Sequence, residues 1–429
     1  MPVVAKLFPH LYYGWILTAT LGVTETVSWG ILYYAFSVFV QPMEAEMGWS
    51  RTDVSGAFSL ALLASGLAAV PVGRWLDRHG PRVLMTVGSI AATLLVLAWA
   101  HVRDLQTLYV IWIGIGLTMA AVLYEPAFAV VATWFRRHRG RALTLLTLMA
   151  GLASTIFLPL AAWLTELQGW RGALVTLAAI LGVTTIVPHA LFLHHRPEDV
   201  GQMVDGISIE QVAPGNKAAS LSGNQGDQGN AALSMVTVLA QPRFRWLALA
   251  FCINALCSMA IAVHLVPYFS SRGLDPQFAA TAVGLIGAMQ LVGRLIFAPL
   301  DGRVPPFMLA AVMLLVQPVA LAFLLAVPGT ASWPIFVFLF GIGRGAMTLV
   351  RASLVATLYG PARYGTISGV LALLATIAHT IAPVAAGAGF DFFGAYDVPF
   401  WTVAALWLTA AGALLVAGQF AKTPESSFA

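Results

Sequence analysis

Apolar runs of about twenty or more residues alternate with short polar turns along almost the whole chain. Roughly 20 apolar residues in a helix are enough to cross the hydrocarbon core of a bilayer. Twelve such runs are present: six at about 12–38, 52–74, 83–102, 107–134, 142–164 and 171–194, and six at about 245–269, 278–298, 305–326, 333–358, 366–389 and 399–420. Between the two sets lies one long polar stretch, "HHRPEDVGQMVDGISIEQVAPGNKAASLSGNQGDQGNAALS". Rich in Gly, Asn, Gln, Asp and Ser, its middle has too little apolar surface to fold and predicts a flexible linker. The pattern therefore predicts an all-α membrane protein of twelve transmembrane helices. A six-helix lobe occupies residues 1–195, a linker 196–240 and a second six-helix lobe 241–429.

Composition agrees with a bilayer as the solvent. The 429 residues are 59% hydrophobic and 9% charged, with a mean hydropathy of +0.84, whereas soluble domains carry about a quarter charged residues. The net charge of +4 calls for no nucleic-acid partner, because the basic groups have a use at the membrane surface. Of the 22 Lys and Arg residues, fifteen fall on the side of the termini and linker and four on the other side. The remaining three, Arg294, Arg344 and Arg351, lie inside spans. Positive charge collects in the cytoplasm, so both termini and the linker are expected there. The opening "MPVVAKLFPHLYYGW" has no small-residue cleavage site and reads as the lead-in to the first span. Cys252 and Cys257, five apart on one helix, do not face each other, so no disulfide is expected.

The two halves resemble each other. "WIGIGLTMAAVLYEPAFAV" in the fourth span aligns with "LFGIGRGAMTLVRASLVAT" in the tenth, 227 positions later. "VGRWLDR" after the second span has an echo in "FAPLDGR" after the eighth, Asp77 matching Asp301 and both segments ending in a basic residue, Arg78 and Arg303. A parallel repeat of six spans is the layout of a transporter whose site lies near the midplane between its halves.

"GRWLDRHGPR" (Gly73, Asp77, Arg78, Gly80, Arg82) lies in the loop between the second and third spans. It resembles the signature of the major facilitator superfamily, Gly-x-Leu-x-Asp-Arg-x-Gly-Arg-Arg/Lys, with Trp75 and Pro81 as departures. Its physical reading is an acid–base latch at helix ends that breaks as the lobes rock; a plain topology signal is the alternative. Within the superfamily the chain looks most like the monocarboxylate porters and their bacterial relatives, which include oxalate/formate exchangers. "YYGW" at 12–15 and "YYAFSVFVQPMEAEMGWSR" resemble the start and end of that group's first helix. Arg294 in "GLIGAMQLVGRLIFAPLDGR" stands where the group carries its substrate-carboxylate arginine. Two departures follow from the same comparison: Gln290 replaces an acid of the animal porters, and Tyr34 replaces a lysine. The resemblance thus implies an anion-binding arginine without the usual proton relay.

A charge at the bilayer centre costs at least about 2.5–3.5 kcal/mol, so intramembrane charges line cavities, pair or snorkel. Arg294 either binds a substrate anion, with Tyr34 and Gln290 beside it, or snorkels to the interface seven residues away at Asp301. A planar fork of donors matches a carboxylate in bidentate fashion, which explains Arg in place of Lys. Arg344 and Arg351 are two turns apart, and Arg351 matches Tyr124 in the repeat. The family resemblance implies that spans 1, 4, 7 and 10 line the central cavity. Glu25, Glu125, Tyr124, Arg344, Arg351 and His264 all fall on them. Arg344, Arg351 and Tyr124 are therefore further substrate candidates, Glu25 and Glu125 proton carriers, and His264 a gate; structural ion pairs and interhelical hydrogen bonds are the alternative readings.

No nucleotide-binding Gly-rich loop ending in Lys, metal-ligand spacing or catalytic triad is recognisable, so no enzyme activity, metal or cofactor is expected. The expectation is a secondary active transporter of the bacterial inner membrane, acting as a monomer. It would move a small organic anion, a monocarboxylate first, by alternating access with proton symport. An exporter of amphiphilic compounds in the same fold and a non-transporting membrane sensor are the rivals.

Overall fold

The computed structural model describes residues 12–135, 137–206, 240–297, 300, 303–327 and 332–420. Its elements are helices. The first set comprises α1 (Tyr13–Trp29), α2 (Phe36–Met47), α3 (Arg51–His79), α4 (Pro81–Ala100), α5 (Leu105–Val122), α6 (Tyr124–Trp134), α7 (Arg139–Ala150), α8 (Ala153–Leu181) and α9 (Val187–Phe192). The second comprises α10 (Pro242–Ser271), α11 (Pro276–Phe297), α12 (Pro306–Ala326), α13 (Ser332–Phe393) and α14 (Asp397–Gln419). Among the described residues, eleven helical segments are long and apolar enough to cross a membrane. One of them, Arg139–Phe192, has 54 residues. At 1.5 Å per residue this is between two and three times the length that one crossing needs, and it is broken at Gly169, whose φ of 68° and ψ of 165° are not helical. Large apolar side chains face outward over the whole length: Leu67, Val110, Val183, Leu295 and Phe392 are each more than two-thirds exposed. That surface suits lipid and not water.

Local chemistry sets the helix ends. Ser50 and Asp53 form a capping box that starts α3. The Asp104 carboxylate caps α5 through the Thr107 amide, which holds its pKa below the ordinary carboxylate range. α4 starts with Pro81 at its first position, where a missing N–H costs nothing. Gly80 before it has φ +78°, and a Cβ there would meet the His195 ring at 2.7 Å. Irregularities fall inside several predicted spans, including a π-helical turn at Gly182–Ile186, and two of them bear on the site. A π-helical turn over Gly30–Tyr34 joins α1 to α2. The fourth predicted span is split, because Pro126 has no N–H for the Val122 carbonyl and its ring crowds that carbonyl. α5 therefore ends at Val122, Leu123 is extended (φ −97°, ψ −162°), and α6 starts at Tyr124.

The helices before residue 206 pack mainly on one another, as do those after 240. Three pairs join the sets: α3 with α13, α8 with α11, and α2 with α10. Within the second lobe α11 and α13 meet backbone to backbone. A Cβ on Gly345 would lie 2.1 Å from the Gln290 carbonyl oxygen, and one on Gly293 2.3 Å from that of Ile342. Small residues therefore lock together the helices that carry Gln290, Arg294, Arg344 and Arg351.

Candidate functional site

The ends of the bundle differ. At one end, which holds Tyr13, Gly80 and Phe192, the Tyr13 hydroxyl donates to the Phe192 carbonyl (2.9 Å) and Arg82 Nε to the Ala190 carbonyl (2.6 Å). Both bonds stay within the first lobe. Arg78, Arg82 and Arg303 are exposed, and among the described residues no hydrogen bond or ion pair ties Gly73, Arg78, Gly80, Arg82 or Arg303 to the opposite lobe. The sequence-predicted Asp301 lies outside the described residues, and so does the side chain of Asp77.

The far end is closed by contacts between the lobes. Arg51, only 5% exposed, donates through Nε to Glu44 Oε1 (2.5 Å) and through Nη2 to the other Glu44 oxygen. Its Nη1 donates across the interface to the Tyr396 hydroxyl (2.7 Å), and its guanidinium lies 4.2 Å from the Phe390 ring centroid. Asp391 accepts from the amides of Arg51 (3.3 Å) and Thr52 (2.9 Å) and from the Thr52 hydroxyl. A carboxylate of one lobe thus caps the first turn of α3 in the other, where free N–H groups favour an anion. His264 is fully buried: Nε2 is 2.9 Å from the Pro383 carbonyl, and Nδ1 is 2.9 Å from the Tyr396 hydroxyl. A carbonyl only accepts, so Nε2 carries the proton, and Tyr396 donates to Nδ1 while accepting from Arg51. These are the interhelical hydrogen bonds that the sequence reading holds as the alternative to a gate role for His264. Gln41 adds a bond to the Pro267 carbonyl (3.3 Å).

Between the ends are two adjoining spaces that share Arg344. Tyr34, Gln290 and Arg344 line a cleft of about 20 Å³. A cavity of about 510 Å³ is lined by Asn254, Gln317, Arg344, Thr348, Arg351 and His379, with Phe128 reaching in from the other lobe. Arg344 is twelve residues into α13, about 18 Å along it and so near mid-membrane. Among the described residues no Asp or Glu lines either space, and no carboxylate pairs with Arg344 or Arg294. Asn254 Oδ1 accepts from Gln317 Nε2 and Trp407 Nε1, both at 3.2 Å. That fixes the amide and leaves its NH2 as the donor for the cavity.

The remaining predicted residues divide. Arg294 is partly buried and reaches the first lobe, donating to the Thr147 carbonyl (3.4 Å), while its Nε has no partner. Tyr124 belongs to a run of aromatic rings with Trp29 and Phe128. Glu25 is wholly buried in α1 beside the Trp29 side chain, and neither its oxygens nor Trp29 Nε1 reaches hydrogen-bond geometry. Glu125, in the first turn of α6, is exposed. Reading the intramembrane charges alone passed over Asn254, Gln317, Trp29 and Phe128, and it left Arg51, Glu44, Asp391 and Tyr396 as loop residues. The signal for Asn254 and Gln317 is an amide inside an apolar run, which must find partners.

Two helical lobes with a mid-membrane cavity between them, closed at one end, are the architecture of a polytopic membrane transporter. The chain belongs to the Major Facilitator Superfamily, whose family model matches residues 21–383. It is similar to rat monocarboxylate transporter 13, 24% identical over 416 residues that cover 95% of this chain and 90% of that protein. An uncharacterised MFS-type transporter of Bacillus subtilis, YcxA, is 30% identical over 116 residues, 26% of this chain and 28% of its own length. Among solved structures, a bacterial homologue of the human lysosomal transporter Spinster, in an inward-facing and occupied conformation, superposes with a TM-score of 0.76. It is 14% identical over 97% of this chain and 99% of that one, a likeness of fold alone.

Proposed function

We propose that this protein is a proton-coupled secondary transporter of a small organic anion, a monocarboxylate first, held at Arg344 between the lobes. The observation that carries this reading is a mid-membrane cavity lined by two arginines, Arg344 and Arg351, and by no carboxylate. Arg344 has no carboxylate partner among the described residues, and a cation at mid-membrane depth calls for an anion; a guanidinium binds a carboxylate through two parallel hydrogen bonds. Tyr34 and Gln290 complete the pocket beside Arg344, Arg294 and Tyr124 add a cation and a hydroxyl where the lobes meet, and likeness to monocarboxylate transporter 13 supports the substrate class. Glu25 is the proton carrier: an ionised carboxylate buried without a partner is costly, which suits the position to hold a proton. Counting the rods on either side of Gly169 separately gives twelve crossings, with both termini and the linker cytoplasmic and the chain a monomer in a bacterial inner membrane. The Arg51–Asp391–Tyr396–His264 contacts then form the outer gate, and the Gly73–Arg82 and Asp301–Arg303 segments the inner one.

Uptake of labelled formate, lactate, pyruvate and benzoate into proteoliposomes tests this, with and without an inward proton gradient. The wild type is expected to accumulate at least one of them only under the gradient, and Arg344→Lys to lose about tenfold or more of that uptake, because the fork geometry is gone. Uptake of none, or equal uptake by the Lys variant, contradicts the proposal.

A further inference from the structure

One wall of the site is unused by a small aliphatic acid. Five rings of the first lobe run in sequence of contact: Phe128 stacks on Tyr124 (centroids 4.9 Å, planes 12° apart), Tyr124 lies 5.0 Å from Trp29, Trp29 5.0 Å from Tyr33, and Tyr33 5.1 Å from Tyr34. The run starts at the cavity that holds Arg351 and ends at the cleft that holds Gln290, and Arg344 lies at both ends because it lines both spaces. All five rings are only partly buried although they sit within membrane-spanning helices. The second lobe faces them with two guanidinium groups and the oriented amide of Asn254. Rings stacked only against one another would close off their faces; Phe128 instead turns into the cavity opposite the cations.

We infer that the substrate is an aromatic carboxylate, its ring laid against Phe128, the end of the aromatic run that lines the cavity, and its carboxylate on Arg344 and Arg351. The geometry is that of an amphiphile bound by two unlike walls, one from each lobe. Offset and edge-to-face contacts select a flat π face, whereas a two-carbon acid would leave the aromatic wall unfilled in a cavity of about 510 Å³. The same division couples binding to closure, because only a ligand long enough to touch both walls draws the lobes together.

This inference rests on the anion reading above, and the test separates the two. The purified full-length protein is titrated calorimetrically with benzoate, cyclohexanecarboxylate, acetate and benzamide. Benzoate is expected to bind about tenfold or more tighter than acetate and several-fold tighter than cyclohexanecarboxylate. Phe128→Leu and Phe128→Met, which keep apolar volume but remove the π face, are each expected to weaken benzoate by about fivefold while leaving acetate within about twofold. Thermal melting confirms that each variant is folded, and either variant alone is sufficient. Acetate binding as tightly as benzoate, or cyclohexanecarboxylate matching it, overturns the aromatic assignment and leaves the anion reading in place. Benzamide binding as tightly as benzoate overturns both.

Discussion

Arg344 and Glu25 carry opposite charges into the membrane and meet opposite fates. Arg344 lines two spaces, while Glu25 is sealed in α1 with no partner for either oxygen. Changing Glu25→Gln keeps the shape and removes the titrating group. The expected outcome is about a tenfold or greater loss of proton-driven accumulation, with substrate exchange across a membrane of equal pH kept within about threefold; counterflow assays measure both, and equal loss of the two would place Glu25 in substrate binding or in folding. Arg294, Arg344, Arg351, Glu25 and Glu125 were all legible in the sequence, because an ionisable residue in an apolar run stands out. Which carboxyl is buried was not. Glu25 and Glu125 differ through tertiary packing around α1 and through the break before α6, and neither leaves a mark in hydropathy. Asn254, held by Gln317 and Trp407 from two other helices, was illegible for the same reason.

At the scale of elements, twelve apolar runs foretold the helices closely, since a bilayer leaves the backbone few other ways to satisfy itself. The interruptions came from single residues. The repeat pairs the fourth span with the tenth, yet Pro126 splits one, and its counterpart Ser353 lies inside the unbroken helix α13. Tyr124 therefore sits at the start of a helix and not within one. Gly80 shows a second local rule: its φ of +78° with ψ of 178° belongs to a region that is essentially glycine's, and His195 occupies the space a side chain would need. Strain of this kind costs on the order of 1–3 kcal/mol. Gly80→Ala is expected to lower the thermal melting midpoint in detergent by several degrees; an unchanged midpoint would mean that the α3–α4 turn relaxes freely. The signature motif points to Gly80 as a candidate latch residue, and the structure also gives it a role in turning the chain.

At the scale of the whole molecule the asymmetry between the two ends matters most. Charge counting separated the ends, but it placed Arg51 among sparse residues of the outer loops. The fold gives Arg51 the central position in the contact between lobes, because Glu44, Tyr396 and Phe390 come from segments far apart in the chain. An alternating transporter must break such a closure in its other state, and Asp391 is the group whose loss opens it with least disturbance, since it holds α3 only through the first-turn donors. On the proposed function, the chain carries its anion by exchanging which end of the cavity is closed. The most direct measurement is pulsed electron resonance of two spin-label pairs in a background with Cys252 and Cys257 replaced. One pair spans the far end at His101 and Phe392, and the other spans the opposite end at Thr144 and Phe420, all four positions being exposed. On changing Asp391→Asn, the far-end distances should lengthen while those at the opposite end shorten. Distances that stay fixed at both ends, or that lengthen together, would contradict the account.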